Sequence, residues 1–304
     1  MRKHLLILDT LFIIMATSAS GNPPDTNKHY DLIVYGSTGA GVGAAVNAGN
    51  AGLEVLLVEE IYQIGGMLAS GMNHTDIRTF YSVSGTFREY MDRAEQHYKE
   101  TYGADSPQVT ATAHGGYVEP KVVNQIFTEM LAEAKVDVIV NYQLTNVNRE
   151  GDRVLSATFV PADSTEGYPL PVEGGEPITY SADFFIDATY EGDLIAAAGI
   201  PYRVGMEPVD WYNEPDANPD KVGVLQGMNF RITLTNNPDN RMPIPEPAGY
   251  VREDYLPVLD DAIAGKLADY TLERMVMGPN RPLPNDKGDF NDRKGYRNSI
   301  KFTE

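Results

Sequence analysis

The sequence predicts an α/β fold whose sheet begins with parallel strands. An apolar strand at 31–35 leads into a glycine-rich turn, an alanine-rich helical segment at 44–52 and a second apolar strand at 54–58. A further buried strand is predicted at 183–187. A strand, turn, helix and strand within about 30 residues form a βαβ unit, which places its two strands parallel in one sheet.

The stretch before the last of these strands adds two helices and a hairpin. Apolar residues recur at helical spacing from Phe87 to Tyr98, and Pro120 opens a second amphipathic helix. An apolar strand follows at 136–140. Turn residues at 149–152 lie between two apolar runs, which predicts an inserted β-hairpin segment.

Composition and charge exclude several classes of function. The chain has 304 residues, 42% of them hydrophobic, which is enough for a large core and excludes a disordered chain. Its net charge of −19 repels phosphate backbones and anionic membrane surfaces, so nucleic acid is not expected as a partner. The absence of cysteine excludes disulfides, thiolate metal sites and catalytic thiols. No histidine pair has zinc spacing, and no metal site is predicted.

The N-terminus has the residue order of a secretory signal peptide. A basic start at 1–4 precedes an apolar run at 5–16 and a small-residue stretch at 16–21. The apolar run is shorter than the roughly 20 residues that a bilayer crossing needs. We therefore predict a signal peptide at 1–20, a secreted or periplasmic protein and no membrane span.

The glycine-rich turn after the first strand is the strongest local signal for ligand binding. It comprises Gly36, Ser37, Thr38, Gly39, Ala40 and Gly41. A dinucleotide fingerprint fits in two registers, Gly36-x-Thr38-x-x-Gly41 or Gly39-x-Gly41-x-x-Ala44. We favour the first, because it follows the strand directly. In this register the Thr38 hydroxyl can bind a phosphate oxygen, although its side chain limits the approach of the backbone. The helix N-terminus can hold the anion despite the acidic composition.

An acidic residue completes the pattern. Glu59 ends the second strand, where an acid accepts hydrogen bonds from the hydroxyls of an adenosine ribose and disfavours a 2′-phosphate. Strand, turn, helix, strand and acid in this order predict a Rossmann-like dinucleotide-binding domain.

The segment after Glu59 distinguishes one dinucleotide from another. A simple NAD-binding domain continues with its next βα unit, whereas here Gly65-Gly66-Met67 opens a long irregular loop. In this respect the sequence resembles FAD-dependent oxidoreductases of the glutathione-reductase-like superfamily, in which a Gly-Gly pair after the acid lies along the FAD.

Two later segments carry the same resemblance. Residues 118–121 precede a helix and the hairpin, as in that superfamily's inserted segment, and 185–194 match its strand-then-Ala-Thr motif. The Asp-Ala-Thr-Tyr-Glu-Gly-Asp pattern is most similar to a secreted bacterial branch, some of whose members carry a xanthan-lyase label. The likeness is good over 30–205 and loose beyond. Glu191 and Asp193 fit either a paired-carboxylate site or the cap of the helix that follows, and we favour the cap because they come after this strand.

The resemblance implies an FAD/NAD(P)-binding domain that holds FAD non-covalently. The glycine-rich turn would border the pyrophosphate, the acid the adenosine ribose, and the double glycine the flavin. The Asp-Ala-Thr segment would lie between adenine and pyrophosphate. The implied cofactor-binding residues are Gly36, Ser37, Thr38, Gly39, Ala40, Gly41, Glu59, Gly65, Gly66, Met67, Asp187, Ala188 and Thr189.

Candidate catalytic residues follow the double glycine. His74 can move a proton near neutral pH, Arg78 can bind a carboxylate or a sugar hydroxyl, and Asp76 lies between them. The alternative is that all three are ordinary loop or surface residues. Trp211 and Tyr212 are candidates for stacking on a sugar, with ordinary packing as the alternative.

These features predict an FAD-dependent oxidoreductase. The expected reaction is hydride transfer to FAD from an unknown substrate, either a small molecule or a glycan derivative. An alternative from another class is a polysaccharide lyase or glycan-binding protein with a remnant FAD fold. A plain NAD dehydrogenase is a third option, which Gly65-Gly66 disfavours. The sequence predicts neither the oligomeric state nor the electron acceptor.

The chain is predicted to divide near residue 205. Residues 30–205 would form the FAD-binding domain, and 206–304 a partial, Pro-rich substrate or insert domain with a strand within 224–235 and helices within 256–277. The stretch 278–304 has no pattern. Members of this superfamily return to FAD once more near their C-terminus, and no such segment follows the Asp-Ala-Thr motif. We therefore expect the chain to be an N-terminal fragment.

Overall fold

The structure is a computed structural model of the protein. It describes residues 23–165, 169–214, 218, 220, 222–225, 228–229, 232–235, 237–242, 246, 250–265, 283–290 and 299–300. The predicted signal peptide at 1–20 lies outside the described residues.

The described part of the chain contains eleven strands and seven α-helices. The strands are β1 (His29–Tyr35), β2 (Val55–Glu59), β3 (Asp137–Val140), β4 (Tyr142–Glu150), β5 (Arg153–Asp163), β6 (Leu170–Pro171), β7 (Ile178–Asp187), β8 (Met228–Asn229), β9 (Ile232–Thr235), β10 (Lys287–Phe290) and β11 (Ser299–Ile300). The helices are α1 (Gly39–Asn50), α2 (Gly85–Tyr102), α3 (Pro107–Ala111), α4 (Pro120–Glu133), α5 (Asp193–Ala197), α6 (Val209–Tyr212) and α7 (Leu256–Ile263).

The main sheet confirms the predicted α/β fold. Its parallel part has the order β3-β2-β1-β7, and β7 continues into antiparallel β5, which pairs with β4 and β6. The predicted hairpin is the β4–β5 pair. From β1 the chain crosses to β2 on one side and returns later as β7 on the other. This reversal is a topological switch point, where open α/β sheets bind ligands beyond the carboxyl ends of their strands.

Both faces of the parallel strands are buried, as parallel sheets require. Leu32 and Val34 of β1 face a core shared with α1, α2 and α4, whereas Ile33 and Tyr35 face a second core with Phe159 of the hairpin. This alternation follows from the two-residue period of a strand. The two cores hold the carboxyl ends of β1, β2 and β7 at one edge of the sheet.

Two elements are longer than predicted. Helix α1 begins at Gly39 rather than Ala44, because the Thr38 side chain accepts a hydrogen bond from the Gly41 N–H at 3.2 Å and caps the helix. Strand β7 begins at Ile178, five residues before the apolar run, because its first half pairs with β5 of the hairpin.

The far part of the chain contains strand pairs that the sequence did not predict. The predicted strand at 224–235 appears as β8 and β9, and α7 begins the predicted helical stretch, whose remainder lies outside the described residues. The prediction that residues 278–304 have no structural pattern is wrong. Strand β10 pairs antiparallel with β9, and β11 pairs antiparallel with β8. The partners are far apart in sequence, so no local pattern revealed them. The domain boundary at 205 stays a prediction.

None of the helices in the described ranges combines the length and apolar character of a membrane crossing.

Candidate cofactor site

Three segments meet at the carboxyl edge of the sheet: the glycine-rich turn 36–41, the double-glycine segment 65–67 and the turn 187–190 after β7. We call them together the cradle. The Gly65 N–H donates to the Ser37 carbonyl at 2.9 Å. A Cβ built on Gly36 would lie 2.7 Å from the Ala188 carbonyl carbon. The backbones of distant segments thus pack directly against one another.

The first of the two predicted registers is the one that the structure adopts. Gly36 has φ +99°, a conformation that favours glycine, and turns the chain directly after β1. Gly41 is the third position, where a Cβ would lie only 2.0 Å from the Gly36 oxygen. A Cβ on Gly39 would meet nothing closer than 4.0 Å, so the second register does not need its glycine.

Helix α1 presents a pair of backbone donors at the cradle. The Gly41 N–H is capped by Thr38, and the Val42 N–H donates to the Thr38 carbonyl at 2.9 Å. The N–H groups of Gly39 and Ala40 therefore have no partner within the helix. Both residues are exposed, and the positive end of the helix dipole lies at the same place. This arrangement fits a phosphate group.

The Thr38 hydroxyl is not available to a phosphate. It donates to the Ala188 carbonyl at 2.9 Å while its oxygen accepts from the Gly41 N–H. The prediction that this hydroxyl binds phosphate is therefore wrong. Its role is to tie the glycine-rich turn to the turn after β7, a contact between residues 150 positions apart that the local sequence did not indicate.

Glu59 has a structural role that the sequence analysis missed. It is buried, and its Oε2 accepts from the Ser37 N–H and the Ser37 hydroxyl, each at 2.6 Å. Its Oε1 accepts from the Ile61 N–H at 3.2 Å. The carboxylate thus fastens the glycine-rich turn to β2. A carboxylate has about four acceptor positions, so a ribose hydroxyl at Glu59 stays a prediction compatible with this geometry.

A cavity of about 630 Å³ connects the cradle to the loop after the double glycine. Of the predicted site residues, it is lined by Thr38, Gly39, Ala40, Gly65, Met67, His74, Asp76, Asp187, Ala188 and Thr189. Those that do not line it are Gly36, Ser37, Gly41, Glu59, Gly66 and Arg78. The first five of these belong to the cradle or hold it in place. Arg78 is exposed and, unlike His74 and Asp76, does not line the cavity.

The loop that carries His74 is ordered by a contact with the segment before α4. His74 forms an isolated β-bridge with Tyr117, and the two rings meet edge to face at 4.5 Å between centroids. Its neighbour Thr75 also lines the cavity, and the Thr75 hydroxyl is a buried oxygen without a hydrogen-bond partner among the described residues. Such a group indicates an absent polar partner. No sequence signal pointed to Thr75.

The turn after β7 is held by its own side chains. Asp187 accepts from the Thr189 N–H at 3.0 Å and from the Ile195 N–H at 2.8 Å. The Thr189 hydroxyl accepts from the Gly192 and Asp193 N–H groups at 2.9 and 3.0 Å. Asp187 and Thr189 therefore cap α5, and the prediction that Glu191 and Asp193 do so is wrong. Asp187 and Thr189 lie several residues before Gly192, the N-cap position of α5, so a search for a capping side chain next to the helix does not find them.

Acidic groups lie close together after the carboxyl ends of β2 and β7. Burial, reinforced by the negative charges of Glu59, Asp193 and Glu191, raises the pKa of Glu60 to about 7. Burial also raises the pKa of Glu191 and of Asp193 above their ordinary values. Within the described ranges no group of three or more His, Asp or Glu side chains has a metal-binding arrangement.

The second half of the chain contacts this region through polar side chains. The buried Glu119 pairs with the Lys287 ammonium and accepts from the Asn285 amide at 2.8 Å and the Tyr98 hydroxyl at 3.0 Å. We call these four residues the dock. Nearby, the Thr233 hydroxyl donates to the Oδ1 atom of the buried Asn73 at 2.7 Å, directly before His74.

The site fits a dinucleotide. Its volume lies within the range of about 300–1,000 Å³ that is usual for cofactor pockets. The closest backbone approaches occur at glycines, the helix N-terminus offers two donors, and an unsatisfied hydroxyl lies farther along the cavity. These features are those that a pyrophosphate and a polar ring system require.

Comparison with known proteins identifies the family. The family model described as FAD dependent oxidoreductase matches residues 31–293. The chain belongs to this family. This is the family of FAD-dependent oxidoreductases that the motifs at the cradle predicted.

Individual relatives match only part of the chain or have low sequence identity to it. The NADH:fumarate oxidoreductase of Klebsiella pneumoniae (strain 342) is 36% identical over 102 residues, which are 31% of this chain and 10% of the relative. The chain therefore spans about a tenth of the length of this curated relative. The crystal structure of Thermovibrio ammonificans THI4 is 18% identical, with a TM-score of 0.38 over 59% of this chain and 67% of the other. The crystal structure of L-proline dehydrogenase from P. horikoshii is 16% identical, with a TM-score of 0.37 over 60% of this chain and 59% of the other.

Proposed function

We propose that this FAD dependent oxidoreductase binds FAD non-covalently in the cradle and transfers a hydride to it from a small organic substrate. One observation carries the proposal. A single cavity of about 630 Å³ joins the two free N–H groups of α1 to the side chains of His74 and Asp76. Cofactor anchor and candidate catalytic groups therefore share one continuous space.

Each part of the cradle has a proposed role toward FAD. The N–H groups of Gly39 and Ala40 bind the pyrophosphate, since they lie at the positive end of α1. Glu59 accepts from the adenosine ribose, and the backbone of 65–67 passes along the flavin. The bound flavin supplies the hydride acceptor, while the protein supplies orientation and electrostatics.

The loop beyond the double glycine is proposed to handle the substrate. His74 and Asp76 line the cavity on this side, and an imidazole can take up or release a proton near neutral pH. The Thr75 hydroxyl offers a hydrogen bond to flavin or substrate, because it lacks a partner among the described residues. Arg78 has no place in this proposal, since it does not line the cavity.

The substitution Gly39→Asp tests the proposed phosphate position. It places a carboxylate at the first residue of α1, where a Cβ has room and where a negative charge favours the helix by about 0.5 kcal/mol. We expect the variant without FAD to unfold at or slightly above the wild-type temperature. Its affinity for FAD should fall more than a hundredfold, because the carboxylate repels the pyrophosphate. Fluorescence titration of FAD and thermal unfolding measure the two quantities.

The matched control is Gly43→Asp. It introduces the same charge one helical turn later, at a position that is also free of close contacts and does not line the cavity. We expect FAD affinity within about threefold of wild type. Wild-type affinity in Gly39→Asp, or equal losses in both variants, would show that the pyrophosphate does not bind at this helix terminus.

We also propose that the protein is secreted or periplasmic, on the basis of the order of basic, apolar and small residues in 1–20. Mass spectrometry of the protein from its native host should then find an N-terminus near residue 21. An intact residue 1 would contradict the proposal. The alternative of a polysaccharide lyase with a remnant fold is not favoured by the family match.

A further inference from the structure

Tyr190 contacts the double-glycine segment of the cradle. Its hydroxyl oxygen accepts a hydrogen bond from the Met67 N–H at 2.7 Å, and its side chain, about half exposed, lines the cavity. The residue belongs to the turn after β7, so one phenol connects that turn to the double-glycine segment.

The surrounding backbone is built to admit this hydroxyl. Gly66 has φ +54°, and a Cβ at this position would lie 2.3 Å from the Tyr190 hydroxyl and 3.2 Å from the Thr38 Cα. Any other residue at 66 would therefore displace the phenol. The Tyr190 hydroxyl and the Thr38 Cα thus both lie next to the same position, the missing side chain of Gly66.

The hydroxyl retains a proton that it can donate. A phenol is both an acceptor and a donor, and the acceptor side is occupied by the Met67 N–H. Among the described residues no acceptor is recorded for the Tyr190 proton. Burial raises the pKa of Tyr190 above its ordinary value, so the phenol is neutral and keeps this proton at physiological pH.

We propose that Tyr190 is a cofactor-binding residue that donates its phenolic proton to a diphosphate oxygen of FAD. The diphosphate would then be bound both by the N–H groups of Gly39 and Ala40 and by the phenol, which line the same cavity. The inference rests on the proposed binding of FAD in the cradle. It assigns to Tyr190 a role beyond holding Met67.

The test is Tyr190→Phe, with Tyr202→Phe as the matched control. Tyr202 has a similar exposure and does not line the cavity. Each deflavinated protein is titrated with FAD, and with ADP as a displacing ligand that carries the diphosphate without the flavin. A hydrogen bond to a charged acceptor predicts an affinity loss of about ten- to a hundredfold for Tyr190→Phe. The loss should be of similar size for FAD and for ADP, and Tyr202→Phe should bind as wild type.

Two results would overturn the inference. FAD affinity within twofold of wild type would leave Tyr190 only as a tether for Met67, whatever happens to the melting temperature of the apoprotein. A loss for FAD without a loss for ADP would place the contact on the flavin half. If FAD does not bind in the cradle at all, Gly39→Asp will bind FAD with wild-type affinity. This result distinguishes failure of the proposed function from failure of the role assigned to Tyr190.

Discussion

The cradle and the dock both join distant parts of the chain, but they do so with different chemistry. In the cradle, backbone packs on backbone, and glycines stand where a Cβ would lie 2.0–2.7 Å from a neighbouring atom, as at Gly36, Gly41 and Gly66. In the dock, a buried carboxylate is satisfied by an ammonium, an amide and a phenol. The cradle is therefore sensitive to added volume, and the dock to lost polar partners.

This difference separates binding from anchoring. Cradle residues surround the space proposed for FAD, so changes there should affect the fold and the cofactor together. Dock residues lie outside the cavity lining, so changes there should affect stability while FAD affinity is retained. The following substitutions challenge that separation.

Lys287→Met should have the largest effect on stability. It leaves the buried Glu119 without its ammonium, although the Asn285 and Tyr98 donors remain. Loss of one partner of a buried pair predicts a fall in the free energy of unfolding of about 3 kcal/mol. Urea unfolding measures this change, and FAD affinity should stay within about twofold of wild type.

The double variant Glu119→Gln, Lys287→Met is its control. Because it removes the buried charge as well, it should recover at least about 1 kcal/mol of the loss. A double variant less stable than the single one would contradict the role of the pair. A large loss of FAD affinity in Lys287→Met would break the distinction between dock and cradle.

Gly41→Ala should have the next largest effect, and it should reach the cofactor. The added methyl would lie 2.0 Å from the Gly36 oxygen and 3.0 Å from the Ala188 Cβ. We expect a loss of about 2 to 3 kcal/mol in unfolding free energy and an FAD affinity at least tenfold weaker, because the turn must shift. Denaturant unfolding and fluorescence titration measure both.

Gly43→Ala is the control for this change. A Cβ there meets nothing within 4 Å, so the better helix propensity of alanine should stabilise the protein by a few tenths of a kcal/mol to about 1 kcal/mol. Equal changes in unfolding free energy and FAD affinity for Gly41→Ala and Gly43→Ala would contradict the close backbone contact at Gly41.

Glu60→Gln should have the smallest effect, and one that depends on pH. The pKa of Glu60 is raised from 4.5 to about 7 by burial and by Glu59, Asp193 and Glu191, while the Tyr35 hydroxyl opposes the rise. The folded wild type retains a proton that the unfolded chain releases, so its stability falls as pH rises from about 4.5 to 7. Because Gln does not titrate, the Glu60→Gln variant does not lose this part of its stability as the pH rises.

We therefore expect Glu60→Gln to match wild type near pH 4.5 and to exceed it by about 1 to 2 kcal/mol above pH 7, after solvent screening is allowed for. Thermal unfolding across this pH range checks the sign. A stability advantage that is constant with pH would contradict the raised pKa.

Local patterns predicted those parts of the molecule that local physics determines. The βαβ unit follows from apolar runs and a glycine turn, and the register beginning at Gly36 follows from its position directly after β1. The same patterns placed the predicted cofactor residues at one edge of the sheet. They failed for the Thr38 hydroxyl and for the capping of α5, because those hydrogen bonds depend on which carbonyl or carboxylate the folded chain brings near.

The sequence by itself indicated a dinucleotide cofactor, since glycines at fixed spacing let a backbone approach a diphosphate and an acid at the end of β2 can accept from a ribose hydroxyl. Only the tertiary structure decided which side chains serve structure and which remain for ligands. The Thr38 hydroxyl is fully occupied by internal partners, whereas Tyr190 and Thr75 retain unmade hydrogen bonds in the described part of the chain. The physical reason is that a buried polar group needs a partner, and the identity of that partner depends on contacts between residues far apart in sequence.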